Sequence, residues 1–217
     1  MAARGPYRKG IEKRAEILNT ALEVINRNGY SNATVKELAD AVGLSQNGLL
    51  HYFGSKDNLF MEILRHRDEL LAATINHEPQ ELQRSFTERV VEAAGASASS
   101  PGLLELTLRL SADATEPDHP AHSFFGARYE SIREVIGATL QLLKESDRLP
   151  EDTDVDLAAA LIQAATEGLL VQWFYDKSMD VDAHLRYLLR SIGIPEDIAG
   201  AIAAAARRTE QGATNIA

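Results

Sequence analysis

Residues 34–60, TVKELADAVGLSQNGLLHYFGSKDNLF, encode a short helix, a glycine turn, a second short helix and the immediate start of a third. Thr34 and Glu37 stand at the spacing of a capping box, and Val35, Leu38, Ala39 and Val42 fall on one face of the helix they open. Gly43 accepts the positive φ that ends that helix, and Leu44 turns inward behind it. Ser45 caps a helix predicted over 46–52, with Leu49 and Leu50 inward and Gln46, Asn47 and Gly48 at its free N-terminal end. Phe53-Gly54 closes it, and Ser55 caps the third. Two short helices crossing at a glycine turn, the second led by polar residues, make a helix-turn-helix able to enter a major groove.

Outward from this stretch the text stays helical. Residues 1–9 read as a disordered arm. Helix is predicted over 10–28, where Ile11, Leu18, Ala21, Leu22 and Ile25 form one apolar stripe that Asn28-Gly29 stops. The helix from Ser55 is predicted to reach residue 76, with Phe60, Ile63, Leu64, Leu70 and Leu71 inward, and to end before Pro79. Further helices are predicted over 80–95, broken by GASASSPG, and over 101–114, 121–146, 154–176, 180–192 and 195–210; TEPDHPAH is a loop. No segment alternates as a strand would. The fold class is all-α. Residues 1–54 form an N-terminal arm and a three-helix, homeodomain-like helix-turn-helix domain, and 55–217 a helical ligand-binding and dimerisation domain linked by its first helix.

The chain has 217 residues, enough for a small domain and a larger one, and no cysteine, which excludes disulfides, thiolate metal sites and cysteine nucleophiles. No apolar run approaches the ~20 residues that cross a bilayer, so the sequence reads as soluble and cytoplasmic, with no membrane partner. The net charge of −10 is unevenly placed: residues 1–65 carry nine Lys or Arg against seven Asp or Glu. Arg4, Arg8, Lys9, Lys13 and Arg14 face only Glu12 within the first fourteen residues. A basic N-terminal segment suits phosphates, while the acidic remainder is repelled by them.

The stretch resembles the DNA-binding domain of the TetR (tetracycline-repressor-like) family of bacterial regulators. The resemblance lies in Thr34, Leu38, Ala39, Val42-Gly43-Leu44-Ser45, Leu49, Tyr52-Phe53 and Ser55-Lys56-Asp57-Asn58-Leu59, within roughly residues 10–65. Leu50 departs from the aromatic residue common at its place, and Asn47 from a small one.

In helix-turn-helix geometry the first residues of the second helix reach base edges. Gln46 and Asn47 are the candidates, since either amide can pair with adenine N6 and N7, and Gly48 admits close approach to DNA. The resemblance implies phosphate contacts from Thr34, Tyr52 and Lys56, with His51 beside them. Ser45 serves as cap, phosphate donor or both, and Arg4, Arg8 and Lys9 are candidates for an arm in the minor groove.

Specific binding to double-stranded DNA by so small a head calls for a homodimer, and the resemblance implies pairing through the helices predicted over 154–176 and 180–192. The first of these is apolar on two faces. Candidate interface residues are Leu161, Ala165, Gly168, Leu169, Leu185, Leu188, Leu189 and Ile192. The resemblance further implies a repressor released by an unidentified small-molecule effector. Candidate pocket residues are the aromatic and isolated charged positions Arg109, Phe125, Arg128, Tyr129, Trp173 and Phe174. No cofactor is expected. One alternative is a regulator that needs no effector. A second is a small metal-dependent enzyme built on Asp113, Glu116, Asp118, His119 and His122, although no HExxH, P-loop or GxSxG motif accompanies them.

Overall fold

The computed structural model describes residues 6–75 and 85–194. Nine helices are present among them: α1 Pro6–Asn28, α2 Val35–Ala41, α3 Gln46–Phe53, α4 Lys56–Ile75, α5 Phe86–Ser99, α6 Pro101–Asp113, α7 His122–Glu145, α8 Val155–Tyr175 and α9 Val181–Ser191, with a single 3₁₀ turn at Tyr30–Asn32. No strand occurs among the described residues. The helix predicted over 195–210, Leu71, Arg4 and the start of the helix predicted from residue 80 lie outside the residues or side chains described.

Two compact units divide these elements. The first holds α1–α4, α6 and the start of α7 through residue 127; the second holds α5 up to residue 96, the rest of α7, α8 and α9. In the first, Ile17, Ile25, Leu38, Leu49, Leu59, Ile63 and Leu64 are almost fully buried and join α1, α2, α3 and α4 in one core. α6 approaches α1 closely enough that a Cβ on Gly102 would lie 2.4 Å from the Ile25 carbonyl oxygen. In the second, Phe86, Leu140, Leu143, Ala159, Ile162 and Leu189 bring α5, α7, α8 and α9 together.

Several expectations are corrected. Helix α1 begins at Pro6, so the backbone of Arg8 and Lys9 is helical rather than part of a disordered arm. Ile11 and Leu70, expected inward, are 54% and 47% exposed, while Ile17 and Val24 take the buried places on α1. GASASSPG does not break the chain over its length: α5 runs on to Ser99, and Ser100 alone separates it from Pro101 at the start of α6. Two aspartates set the starts of the last two helices. Asp154 accepts from the Asp156 and Leu157 amides and Asp180 from the Ala183 amide. Helix α8 also exceeds what the sequence suggested, being long and apolar enough by length and composition to cross a bilayer, with a mean hydropathy of 1.3 over its most apolar window. Its inner face packs in the second unit's core, and the polar Gln163 and Glu167 interrupt it.

Candidate nucleic-acid interface

The local chemistry of residues 34–60 is realised bond by bond. Thr34 Oγ1 accepts from the Glu37 amide at 3.2 Å, and Ser45 Oγ from the Gly48 amide at 3.0 Å. Ser55 Oγ accepts from the Asn58 amide at 3.1 Å. Each helix start therefore has one of its orphan donors satisfied. The capping box is half built, since the Glu37 carboxylate accepts from the Asn28 side-chain amide at 2.6 Å. Gly43, at φ +68°, ends α2 and lets the Leu44 amide reach back to the Ala39 carbonyl at 2.9 Å.

These caps display a polar face. Gln46, Asn47 and His51 are exposed along α3, while Leu49 and Phe53 on its other side are buried and Leu50, expected inward, is half-buried. Tyr52 is half-buried, its ring 6.4 Å from that of His51. Gly48 is tightly placed: a Cβ there would lie 3.1 Å from Ser45 Oγ, so the missing side chain protects the cap of α3.

Thr34 and Lys56 line a single cleft of about 210 Å³, together with Tyr30, Ser31, Ala33, Val35 and Phe60. The cleft thus joins the N-terminal ends of α2 and α4, where free amides and the positive helix dipole favour an anion. Lys56 Nζ stands 5.6 Å from the Phe60 ring centroid, which holds the ammonium at the rim. Tyr30, overlooked in the sequence, packs edge-on against Phe60 at 5.4 Å. Burial pushes its phenol above the usual tyrosine range, opposed by the Arg109 guanidinium and aided by Asp113, Asp57 and Glu105. Only its place beside the predicted Thr34 could have signalled it.

Two cations counted in the basic N-terminal segment point inward. Lys13 donates to the Val42 carbonyl at 3.3 Å and Arg14 to the Tyr52 carbonyl at 2.7 Å. They serve the C-terminal ends of α2 and α3.

The remaining candidates separate. Arg109 pairs with Glu105 at 2.9 Å, and Glu105 also accepts from Ser31 Oγ at 3.1 Å, so Arg109 belongs to the contact of α6 with the head. Phe125 is buried in the first unit, edge-on to Phe124 at 5.1 Å. In the second unit Tyr129 donates to the Glu167 carboxylate beside Arg128. Trp173 and Phe174 stack edge-on at 5.7 Å, with Lys177 Nζ seated 3.1 Å from the Trp173 centroid. Of the interface candidates, Leu161 is 57% exposed and Ala165, Gly168, Leu169, Leu188 and Ile192 are half-buried. Leu185 and Leu189 are fully buried in their own unit instead, because α9 turns its strongest apolar stripe onto α8. In the α6–α7 turn His119 Nδ1 accepts from the Ala121 amide at 3.1 Å, and His122 Nδ1 lies 2.8 Å from the Ala114 carbonyl oxygen. Both imidazoles are engaged by their own loop, and no cluster of three metal-binding side chains forms among the described residues.

Comparison with known proteins agrees with this head. Residues 17–63 match the family model for bacterial regulatory proteins of the tetR family. The transcriptional repressor AcnR of Corynebacterium jeikeium is 26% identical over 73% of this chain and 80% of its own length. The probable acrEF/envCD operon repressor of Escherichia coli is 22% identical over 88% and 91%. A protein of Saccharomonospora viridis solved in complex with choline superposes with a TM-score of 0.65 at 23% identity, covering 83% of this chain and 96% of that one. NalD of Pseudomonas aeruginosa, the secondary repressor of the MexAB-OprM efflux pump, gives 0.59 at 21%, covering 88% and 99%. At such identities these two establish the shared fold.

Proposed function

We propose, from the premise that this chain belongs to the tetR family of bacterial regulatory proteins and is a transcriptional repressor rather than an enzyme, that it binds an inverted-repeat operator as a homodimer. A small molecule bound in the helical body then releases it. Gln46 and Asn47 carry this reading: they are exposed at the capped start of α3, on the same head as the cleft that Thr34 and Lys56 line. Amides at that place suit base edges, and a cationic cleft at two helix starts suits a phosphate. The functional division we retain is 1–54 for DNA and 55–217 for ligand and partner.

An exposed apolar stripe supports the homodimer. Leu157, Leu161, Gly168, Val171 and Tyr175 recur at helical spacing along α8, with Leu157 63% and Tyr175 90% exposed, and Tyr187 of α9 is 69% exposed. A two-fold axis through that stripe would hide it, and a two-fold pair of heads is what an inverted repeat with half-sites about 34–36 Å apart calls for. The same stripe accounts for the apolarity of α8 without a membrane, in keeping with a cytoplasmic protein. Release is a population shift, in which the effector prefers the conformation that fits DNA poorly. A coupling of ~1–3 kcal/mol changes operator affinity roughly 5- to 150-fold. The choline complex of the Saccharomonospora viridis protein lends support to a small-molecule site on this fold.

Selection of bound fragments from the source genome, followed by anisotropy on the recovered duplex and light scattering of the free protein, tests the reading. A shared inverted repeat and a dimer are expected. A monomer at micromolar concentration with no preference among duplexes overturns it.

A further inference from the structure

Gln163 sits on the inner face of α8, only 8% exposed, next to the buried Ile162. Its side-chain oxygen and nitrogen are both buried without a hydrogen-bond partner. Among the described residues it is the side chain that leaves a donor and an acceptor unmet together. Buried amides are almost always satisfied, because an unmet one forfeits its bonds to water with nothing in return. Helix propensity does not explain the choice either, since leucine would fill the position at least as well.

The surroundings indicate what is awaited. Glu167 lies one helical turn further along the same face, accepts from Tyr129 and stands close enough to Arg128 to feel its charge. Burial pushes this carboxyl above the usual carboxylate range, against the Arg128 charge and the Tyr129 hydrogen bond, so the surroundings disfavour a further charge. An ionic ligand would leave one charge without a counterpart in a region of low dielectric, whereas a neutral ligand would not. A glutamine amide presents N–H donors beside a carbonyl acceptor. The complementary partner presents an acceptor beside a donor at the same spacing.

We propose that Gln163 is the recognition residue of the effector site, and that the effector offers it a neutral donor–acceptor edge: a carboxamide, a lactam or a heterocycle with an N–H beside a carbonyl. This rests on the effector reading given above and names its chemistry. Specificity follows from the cost of an unfilled site: an analogue lacking the N–H leaves the Gln163 oxygen as unpaired as before.

The test uses the full-length protein with benzamide and 2-piperidone as probes, and acetophenone, which keeps the ring and carbonyl but has no N–H, as control. Thermal unfolding is followed at millimolar probe for the wild type and for Gln163→Leu. The expected result has two parts. Without probe the leucine variant melts higher, by roughly 2–4 °C for each kcal/mol of unmet amide removed. Benzamide and 2-piperidone raise the melting temperature of the wild type, acetophenone does not, and the variant responds at least about tenfold more weakly to both amides. A leucine variant that melts lower overturns the proposal, because the amide is then satisfied in the free protein. Equal responses of variant and wild type, or no wild-type response to either amide, overturn it as well. Probes that bind through Gln163 yet leave operator affinity unchanged would sink release by effector while leaving this site standing.

Discussion

Arg14 Nη1 donates to the main-chain carbonyl oxygen of Tyr52 at 2.7 Å, which ties α1 to the last turn of α3. The same guanidinium pairs through Nη2 with Glu62 of α4 at 2.9 Å and lies over the Phe53 ring, 4.5 Å from its centroid. One planar cation therefore meets a helix C-terminus, a carboxylate and an aromatic face, each favourable to positive charge. One residue earlier, Lys13 does the same for α2 through the Val42 carbonyl. The long first helix thus grips both short helices of the DNA-binding unit at their negative ends, which neither could satisfy alone.

Arg14→Ala is expected to cost about 1–2 kcal/mol, at the lower part of the range for a charged hydrogen bond because the side chain is partly solvated. The melting temperature should fall roughly 2–4 °C per kcal/mol, and operator affinity should drop with it because α3 is held less firmly. Arg14→Lys should recover little, since an ammonium cannot meet three partners from one plane. Full recovery by lysine would reduce the interaction to simple charge.

Gly102 makes a sharper packing claim. A methyl group there would lie 2.4 Å from the Ile25 carbonyl oxygen and 3.0 Å from the Gly29 Cα, both main-chain atoms that no rotamer change can move. Gly102→Ala should therefore force α6 off α1 and cost ~1–3 kcal/mol or more. Gly95→Ala in α5 is the control, because a Cβ at Gly95 meets nothing within 4 Å. It should stabilise by ~0.5–1 kcal/mol through backbone entropy. Opposite signs in paired thermal melts are the expected outcome; the same sign at both positions would contradict the close approach.

What could be read in advance divides by the range of the forces involved. The caps Thr34, Ser45 and Ser55 and the stop at Gly43 act within three or four residues, so letters in a row suffice, and all four behave as the spacing predicts. Ile11 and Leu70 have apolar side chains in register with their stripes yet are exposed, because periodicity names a face of a helix and not what packs on it. Leu185 and Leu189 fit an interface stripe and a core stripe equally; only the packing of α9 on α8 decides that they face inward. Arg14 reads as one more arm cation because its partner is 38 residues away. Gln163, one polar letter in an apolar helix, carries no local mark of being buried without a partner.

Gln46 and Asn47 are exposed at the start of α3, so replacing either should leave the fold intact and alter selectivity. Gln46→Ala or Asn47→Ala is expected to relax base preference at one position of the operator half-site, by ~1–3 kcal/mol for a two-point amide contact. Anisotropy against a set of single-base operator variants reads this directly. Selectivity that survives both substitutions would move base reading elsewhere on α3.

Lys56 should behave in the opposite way. It is exposed at the first position of α4, and it shares its cleft with the Thr34 cap, a place for a phosphate and not for a base. Lys56→Ala should weaken specific and non-specific duplexes alike and flatten the slope of log affinity against log salt by about one unit. A loss confined to the operator would contradict a phosphate contact.

The two faces of α8 give the last prediction a built-in contrast. Leu161 is 57% exposed, so glutamate there costs the isolated chain little. At a two-fold interface the same change is made twice, and each copy loses apolar burial worth ~1.5–3 kcal/mol. Dimerisation should weaken by roughly 10²- to 10⁴-fold, leaving a folded monomer in sedimentation at micromolar concentration. The monomer should keep its helical signal and lose operator affinity, since one head covers one half-site. Leu185→Glu, on the fully buried face of α9, should instead abolish folding, because it places a charge in the core without a partner. A folded dimer of Leu161→Glu with undiminished affinity would remove α8 from the interface.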